Sequence, residues 1–428
     1  MPQNELTIGL YGINGVYNYG CEAIVRGTEI ILHEMYPDVI IKYASPLPKA
    51  DKKRLKGCNV KIVNREKYPL LSVPGLGKIL THTVGMPFYP RFDEKIDWIN
   101  NCDAIFSIGG DLYTLPSNYE DKSMFYFMNY IKNPSKIPLN YRRKVFGKGY
   151  NPLIHFGDMV MDKKKKFVVW GASIGPFEKS EYAKKIFKDH LSNVDLITSR
   201  EPETTEYLKK LGIMNNVIEC ADPAFVVSST KKRVDNDSLI IGINLSPLSS
   251  NQIFNEEKEK ILSKNARIIE EIITTFQAEV VLIPHVVSDS INDDDLRFLK
   301  ELKTRVNDHF VDHVKIIEND PGFIGIKNIL MECDALITAR MHCAINALEA
   351  GVPTIFISYS KKSEGMACYV YGTKKWVIPL MSFESISVIP LLKMMISEKD
   401  NIKLFLEKRI HQIKLDAFKP LEILSNIL

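Results

Sequence analysis

Arg340 and His342 stand two residues apart, just after the apolar run Ala335-Leu336-Ile337-Thr338 and ahead of the helix-favouring stretch Cys343 to Ala350. The run reads as a buried strand. Gly351 sits where a helix ends, and Pro353 prevents continuation before a second strand that reaches Ile357. A guanidinium and an imidazole are thereby expected past a strand's carboxyl end, at the amino terminus of a helix. Backbone N–H groups there favour anions, and a guanidinium adds a planar fork matched to phosphate or carboxylate. Taken alone, an Arg-x-His more often marks a surface ion pair and a helix cap, so the weight falls on the rest of the chain.

The same placement recurs. Asp195 to Ser199 reads as a strand that delivers Arg200 ahead of Pro202, a residue suited to a first helical turn. Glu279 to Ile283 delivers His285, which is as easily structural as functional. Asp103 to Ile108 ends in Gly109-Gly110-Asp111, and Phe167 to Trp170 ends in Gly171-Ala172-Ser173-Ile174-Gly175-Pro176. Leu239 to Asn244 runs into Leu245-Ser246-Pro247. Near the start, the strand Leu6 to Tyr11 leads into a loop of glycine and asparagine, Gly12 to Gly20, before a helix from about Glu22 to Met35. The glycine spacing there is not that of a dinucleotide-binding turn.

These residues need elements to hold them, and the chain supplies strands alternating with helices in two series. That pattern implies α/β architecture with parallel sheets and right-handed crossovers. Domain boundaries are expected at 1–227 and 239–428, joined by a polar linker at 228–238. Residues 112–162 form an insertion crowded with aromatics, suited either to a sugar platform or to a subdomain core. Tyr68 to Arg91 is rich in proline and glycine. Ser358 to Met366 reads as a polar loop. Ser382 to Leu428 is helical in pattern and is expected to close the C-terminal domain and cross back to the first.

Bulk properties exclude several classes. The 428 residues are 45% hydrophobic and 25% charged, which is ordinary globular composition with length for two domains. A net charge of +4, from 56 basic and 52 acidic side chains, argues against nucleic acid as a partner. Seven cysteines without a Cys-x-x-Cys fit free, mostly buried thiols in a reducing compartment. No cluster has metal-ligand spacing. No stretch approaches the ~20 apolar residues of a membrane span, so a cytoplasmic protein, at most peripheral to a membrane, is expected.

The ordered set of motifs resembles the polysaccharide pyruvyltransferase family over nearly the whole chain. It comprises Asn18-Tyr19-Gly20-Cys21-Glu22-Ala23, Gly109-Gly110-Asp111, Gly171 to Pro176, Ser199-Arg200-Glu201 and Asp222-Pro223-Ala224. It continues with Ile283-Pro284-His285, Arg340-Met341-His342 and Tyr359 to Lys362. The chain departs from the pattern at Cys21, where many relatives carry aspartate, and at Asp111, where many carry a third glycine.

The resemblance implies a GT-B-like fold, two Rossmann-like domains with parallel sheets facing a central cleft. It implies transfer of the enolpyruvyl unit of phosphoenolpyruvate onto two saccharide hydroxyls, free or lipid-linked, giving a pyruvate ketal. No cofactor is required. His342, Arg340, Arg200 and His285 are then the expected catalytic set, with Arg340 and Arg200 clamping the donor's anionic groups. His285 or Asp111 would accept hydroxyl protons. Ser246, Lys362, Ser363 and Glu364 would serve the donor, and Asn18, Gly110, Asp111 and Ser173 the acceptor. Two other functions fit the same motifs. One is a nucleotide-sugar glycosyltransferase, with Glu349 or Glu364 on the donor ribose, and the other a non-catalytic saccharide-binding protein.

Overall fold

The computed structural model describes residues 5–69, 71–74, 76, 94–115, 152–229, 231, 238–247, 258–290, 293–358 and 361–428. They form two compact units. The first takes in the chain up to Asn14, then Leu32–Cys220 and Lys419–Leu428. The second holds Gly15–Ile31 and Ala221–Phe418.

The first unit is built on seven strands: β1 (Thr7–Tyr11), β2 (Ile40–Ser45), β3 (Lys61–Asn64), β4 (Ala104–Ile108), β5 (Lys166–Ala172), β6 (Leu196–Ser199) and β7 (Val217–Glu219). They pair in parallel in the order β3-β2-β1-β4-β5-β6-β7. Every residue of β1 and β4 is buried, which explains their continuous apolar sequences: a parallel sheet is covered on both faces. Helices α1 (Tyr19–Met35), α2 (Pro48–Arg54), α3 (Pro152–Asp162), α4 (Glu181–Asn193) and α5 (Pro202–Lys210) alternate with these strands. From the aromatic insertion, residues 116–151 lie outside the described residues. Phe156 of α3 enters the core and stacks on Tyr11.

The second unit carries β8 (Ile240–Asn244), β9 (Glu279–Leu282), β10 (Val314–Ile316), β11 (Ala335–Thr338), β12 (Thr354–Ser358) and β13 (Val377–Pro379). Their order, β10-β9-β8-β11-β12-β13, is again wholly parallel. In each sheet the direction of winding reverses once, between β1 and β4 in the first and between β8 and β11 in the second. Ligands of open α/β sheets bind at such reversals, beyond the strands' carboxyl ends. The helices are α6 (Lys258–Phe276), α7 (Asp295–Lys303), α8 (Gly322–Leu330), α9 (Met341–Glu349), α10 (Lys361–Tyr371), α11 (Ser385–Ser397) and α12 (Lys399–Phe418). A last helix, α13 (Pro420–Ile427), groups with the first unit.

Three elements differ from the sequence reading. Ser358 to Met366, expected as a loop, opens into α10. Buried Met366, Ala367 and Val370, with Tyr371, recur at helical spacing, and the polar residues before them are only its first turn. Val377–Pro379 adds an unforeseen strand at the sheet edge, the position where a proline costs no ladder bond. Helix α1 begins at Tyr19 rather than near Glu22, because the Asn18 carboxamide oxygen accepts the Gly20 N–H at 2.9 Å.

The first part of α1 is fitted closely to the second unit. Gly20 and Gly27, seven residues apart, share one face of the helix. A Cβ at Gly27 would stand 1.9 Å from the Pro223 carbonyl oxygen, and one at Gly20 would stand 2.5 Å from His342 Nδ1. Glycine is required at both because the helix backbone lies against its neighbours. Gly27→Ala should therefore destabilise the protein by about 1–3 kcal/mol through overpacking against a main-chain atom. A lowered midpoint in urea denaturation is expected, and an unchanged midpoint would mean that α1 is not seated there.

Candidate active site

The second sheet's reversal is filled by one hydrogen-bonded group. Asn244, the last residue of β8, is completely buried beside Thr338, the last of β11. Its Oδ1 accepts the Thr338 hydroxyl (2.8 Å) and the Arg340 N–H (3.1 Å), and its Nδ2 donates to the Ile283 carbonyl (2.9 Å). Asp295, fully buried in the first turn of α7, completes the group. Oδ2 of Asp295 accepts the backbone N–H groups of His285 and Val286, each at 3.1 Å, while Oδ1 accepts Arg340 Nη2 at 2.8 Å and Nε at 3.2 Å. Arg340 Nη2 also meets Asp293 Oδ1 at 2.7 Å. Burial opposes the Arg340 charge, but Asp295 and Asp293 outweigh it and hold the guanidinium pKa above its ordinary value. Burial raises the Asp295 carboxyl, with Arg340 pulling against it. Arg340 is thus paired, as in the ion-pair alternative, but in a buried network. Its Nη1 makes no hydrogen bond among the described residues.

His342 occupies the first turn of α9, whose cap residue, Arg340, supplies no side-chain cap. Its ring lies over Gly20 at the start of α1, so two helix amino ends meet at this imidazole. Behind it is Asp222, fully buried, with Oδ2 3.4 Å from His342 Nε2 and Oδ1 accepting the Ala224 N–H at 2.9 Å. The same face is tied to α1 by further bonds. Tyr19 N–H donates to the His285 carbonyl (3.1 Å), and its hydroxyl donates to Asp320 Oδ1 (2.6 Å). Buried Glu22 accepts the Phe323 N–H of α8 at 2.9 Å and Arg26 Nε at 2.8 Å.

His285 is buried, its ring edge-on to Tyr19 and Phe323. Burial, and then the charges of His342 and Arg340, push its pKa well below the ordinary histidine value, so it stays neutral. Among the described residues its Nε2 has no hydrogen-bond partner.

In the first unit, Arg200 is 1% exposed and lies flat over Gly110, where a Cβ would approach its guanidinium to 2.8 Å. Its Nε donates to Ser173 Oγ at 2.9 Å and its Nη2 to Asp111 Oδ1 at 3.2 Å. The Ser173 N–H donates to the Gly110 carbonyl at 2.7 Å, which ties the loops after β4 and β5 together. Arg200, Gly110, Asp111 and Ser173 therefore form one group, while Asn18 falls in the second unit as the cap of α1.

Ser246 is buried just past β8. Lys362, Ser363 and Glu364 lie in the first turn of α10, and Glu364 pairs with Lys374 at 2.8 Å. Tyr359 and Ser360 lie outside the described residues. Glu349, weighed as a ribose ligand, is instead buried between Lys327 and Lys414, the latter at 2.6 Å. Burial pulls the Lys327 ammonium down to about 8, against the attraction of Glu349.

Sequence reasoning gave no role to Asp222, Glu22, Gly20, Asp293 or Asp295. Asp222-Pro223 carries the signature of a helix cap, and Asp293-Asp294-Asp295 reads as an acidic helix start. In neither case does the sequence show which distant cation or imidazole the carboxylate meets.

A family model described as polysaccharide pyruvyl transferase matches residues 18–361. The chain is 26% identical over 219 residues to the amylovoran biosynthesis protein AmsJ of Erwinia amylovora, covering 47% of this chain and 51% of that protein. It thus matches about half the length of that curated relative. Among solved structures, a UDP-GlcNAc 2-epimerase from Neisseria meningitidis bound to UDP-GlcNAc aligns with a TM-score of 0.58 at 10% identity, over 98% of this chain and 99% of that one. Anabaena HepE in complex with UDP and glucose aligns with a TM-score of 0.55 at 11% identity, over 99% and 100%. At such identities the likeness is one of fold. Two wholly parallel sheets with Rossmann-like strand order define a GT-B-like α/β protein. The chain belongs to the polysaccharide pyruvyl transferase family, whose match runs from the cap of α1 to the start of α10.

Neutral, buried His285 predicts an acid-side loss of stability. Below about pH 6.5 the unfolded chain binds a proton that the folded state refuses, so stability falls as pH falls, by about 1.4 kcal/mol per pH unit from this group. Thermal or urea denaturation of His285→Asn between pH 7 and 5 should show the native protein losing more stability than the variant. Parallel curves would contradict the assignment.

Proposed function

We propose that this protein transfers the enolpyruvyl unit of phosphoenolpyruvate to two hydroxyls of a saccharide, forming a cyclic pyruvate ketal and phosphate. The product would belong to an exopolysaccharide, capsule or cell-wall glycan. The observation that carries this reading is the setting of His342, an imidazole between two helix amino ends, beside a guanidinium held by two carboxylates. Family membership supplies the reaction class.

Phosphoenolpyruvate presents a phosphate and a carboxylate on a small planar frame. The uncapped first turn of α9 offers backbone N–H groups to one of them. With Nε and Nη2 of Arg340 fixed on Asp295 and Asp293, Nη1 is the donor left for an anion, and its direction is set before the ligand arrives. Arg200 is proposed as a further anion contact, with Gly110, Asp111 and Ser173 serving the acceptor. His342 protonates the methylene carbon: its N–H bond breaks, the C=C pair forms the new C–H bond, and positive charge develops at the adjacent carbon. One sugar hydroxyl adds there and returns its proton to His342. The second hydroxyl displaces phosphate, which leaves with that hydroxyl's proton. His285, buried and neutral, is better suited to shaping the pocket wall than to taking a proton.

Calorimetry with phosphoenolpyruvate tests this reading. The native protein should bind saturably. Arg340→Lys, which keeps a cation for Asp295 but lacks Nη1, should weaken binding on the order of tenfold or more. His342→Ala should retain binding and lose about 10²–10⁴-fold in acceptor-dependent phosphate release. Binding of UDP-sugar in place of phosphoenolpyruvate would replace this reading with a glycosyltransferase. Saccharide binding with unaltered behaviour of His342→Ala would indicate a non-catalytic protein.

A further inference from the structure

Arg340 is one cation held by two carboxylates in different situations. Asp295 is completely buried and tied down: Oδ2 accepts the N–H groups of His285 and Val286, and Oδ1 accepts both Nε (3.2 Å) and Nη2 (2.8 Å) of the guanidinium. An oxygen shared by those two nitrogens lies against the side edge of the guanidinium plane. The second Nη2 hydrogen belongs to the end edge, beside Nη1, and Asp293 Oδ1 accepts there at 2.7 Å. That end edge is the fork that receives a phosphate or carboxylate through two parallel bonds. One oxygen of Asp293 therefore sits where a bidentate anion would sit. The Asp293 side chain is 30% exposed, and among the described residues its carboxylate makes no other hydrogen bond. With both carboxylates ionised, the trio of Arg340, Asp293 and Asp295 is negative on balance, which opposes an anion until one carboxylate leaves. Only Asp293 is free of the backbone bonds that hold Asp295 in place.

We propose that Asp293 is a specificity-determining residue, an internal ligand that occupies the Arg340 fork in the free protein and that an incoming anion must displace. Asp295 keeps the guanidinium aimed while the Asp293 side chain turns toward solvent, and the Nη2 hydrogen so released joins Nη1 in holding the ligand. Because the competent state is the one with the fork open, the affinity for every anion that uses the fork is lowered by the same factor. A singly charged carboxylate offers no more than Asp293 itself and falls below a useful affinity. A phosphate brings a second charge, and a further oxygen for the N–H groups at the start of α9, and stays above it. After the reaction the carboxylate returns and competes with product phosphate for the same edge. This role rests on the proposed anion contact of Arg340, and it is independent of which phosphate compound binds.

The test is calorimetry on the full chain, with phosphoenolpyruvate, inorganic phosphate and pyruvate titrated into the native protein, Asp293→Ala and Asp293→Asn. Asp293→Ala should bind phosphoenolpyruvate and inorganic phosphate more tightly, both by the same factor of about five- to tenfold, and should bring pyruvate into the measurable range. Asp293→Asn keeps an acceptor of the same size without the charge and should move in the same direction by less. The gain should vanish when Arg340→Lys, which lacks the fork, is added to Asp293→Ala. Unchanged or weakened phosphate affinity in a folded Asp293→Ala protein would overturn the proposal and leave Asp293 as a support for the guanidinium. A gain that survives Arg340→Lys would also overturn it, since the effect would then be one of charge without displacement. So would a lack of anion binding by the native protein and both variants. Should Asp293→Ala fail to fold, the direction of the change in Asp293→Asn decides. If inorganic phosphate shows the gain while phosphoenolpyruvate does not bind at all, the role of Asp293 stands and the donor assignment fails.

Discussion

A carboxylate without access to water organises the second unit. Asp295 is completely buried, and an unpaired charge there would cost several kcal/mol. It is satisfied from three directions: by the Arg340 guanidinium, by the Asn244 amide, and by the backbone N–H groups of His285 and Val286. Those donors come from the ends of β8, β9 and β11, so one side chain fixes the relative positions of three strand ends. It also sets which nitrogens of Arg340 are occupied and which is left for a ligand. The direction of the guanidinium is a consequence of the fold, made before any anion is present.

A second constraint is close approach of backbone. Helix α1 carries Gly20 and Gly27 on one face, and each stands where a methyl group would collide with the second unit's residues. Glu22, between them in sequence, accepts the Phe323 N–H in the first turn of α8 and holds Arg26. A stretch near the chain's start thereby contributes to the surroundings of His342, although the strand before it belongs to the first unit.

Much of this architecture was legible in the sequence. Alternating apolar strands and helices gave the two parallel sheets, and Arg340, His342 and Arg200 were read at strand ends, where they stand. Local patterns sufficed because strand burial and helix starts are local properties. What failed was non-local. Arg340 read as a clamp open to a ligand, whereas two of its nitrogens are engaged by Asp293 and Asp295, residues whose acidic run announced only a helix start. Asp222 was read only as part of a family motif, and its closeness to His342, 3.4 Å from Oδ2 to Nε2, depends on tertiary packing. The glycine pair of α1 was equally visible, and its meaning required knowing which surface the helix meets. Beyond Ser358, polar residues at the head of α10 masked the helical spacing of Met366, Ala367 and Val370.

The central claim is that the amino end of α9, with His342 and Arg340, is where the donor anion binds. A crystal structure of the protein soaked with phosphoenolpyruvate measures this most directly. The account predicts the ligand at the first turn of α9, with an anionic group accepting from Arg340 Nη1 and the methylene carbon facing the His342 imidazole. Phosphoenolpyruvate bound elsewhere, or in contact with neither side chain, would contradict it.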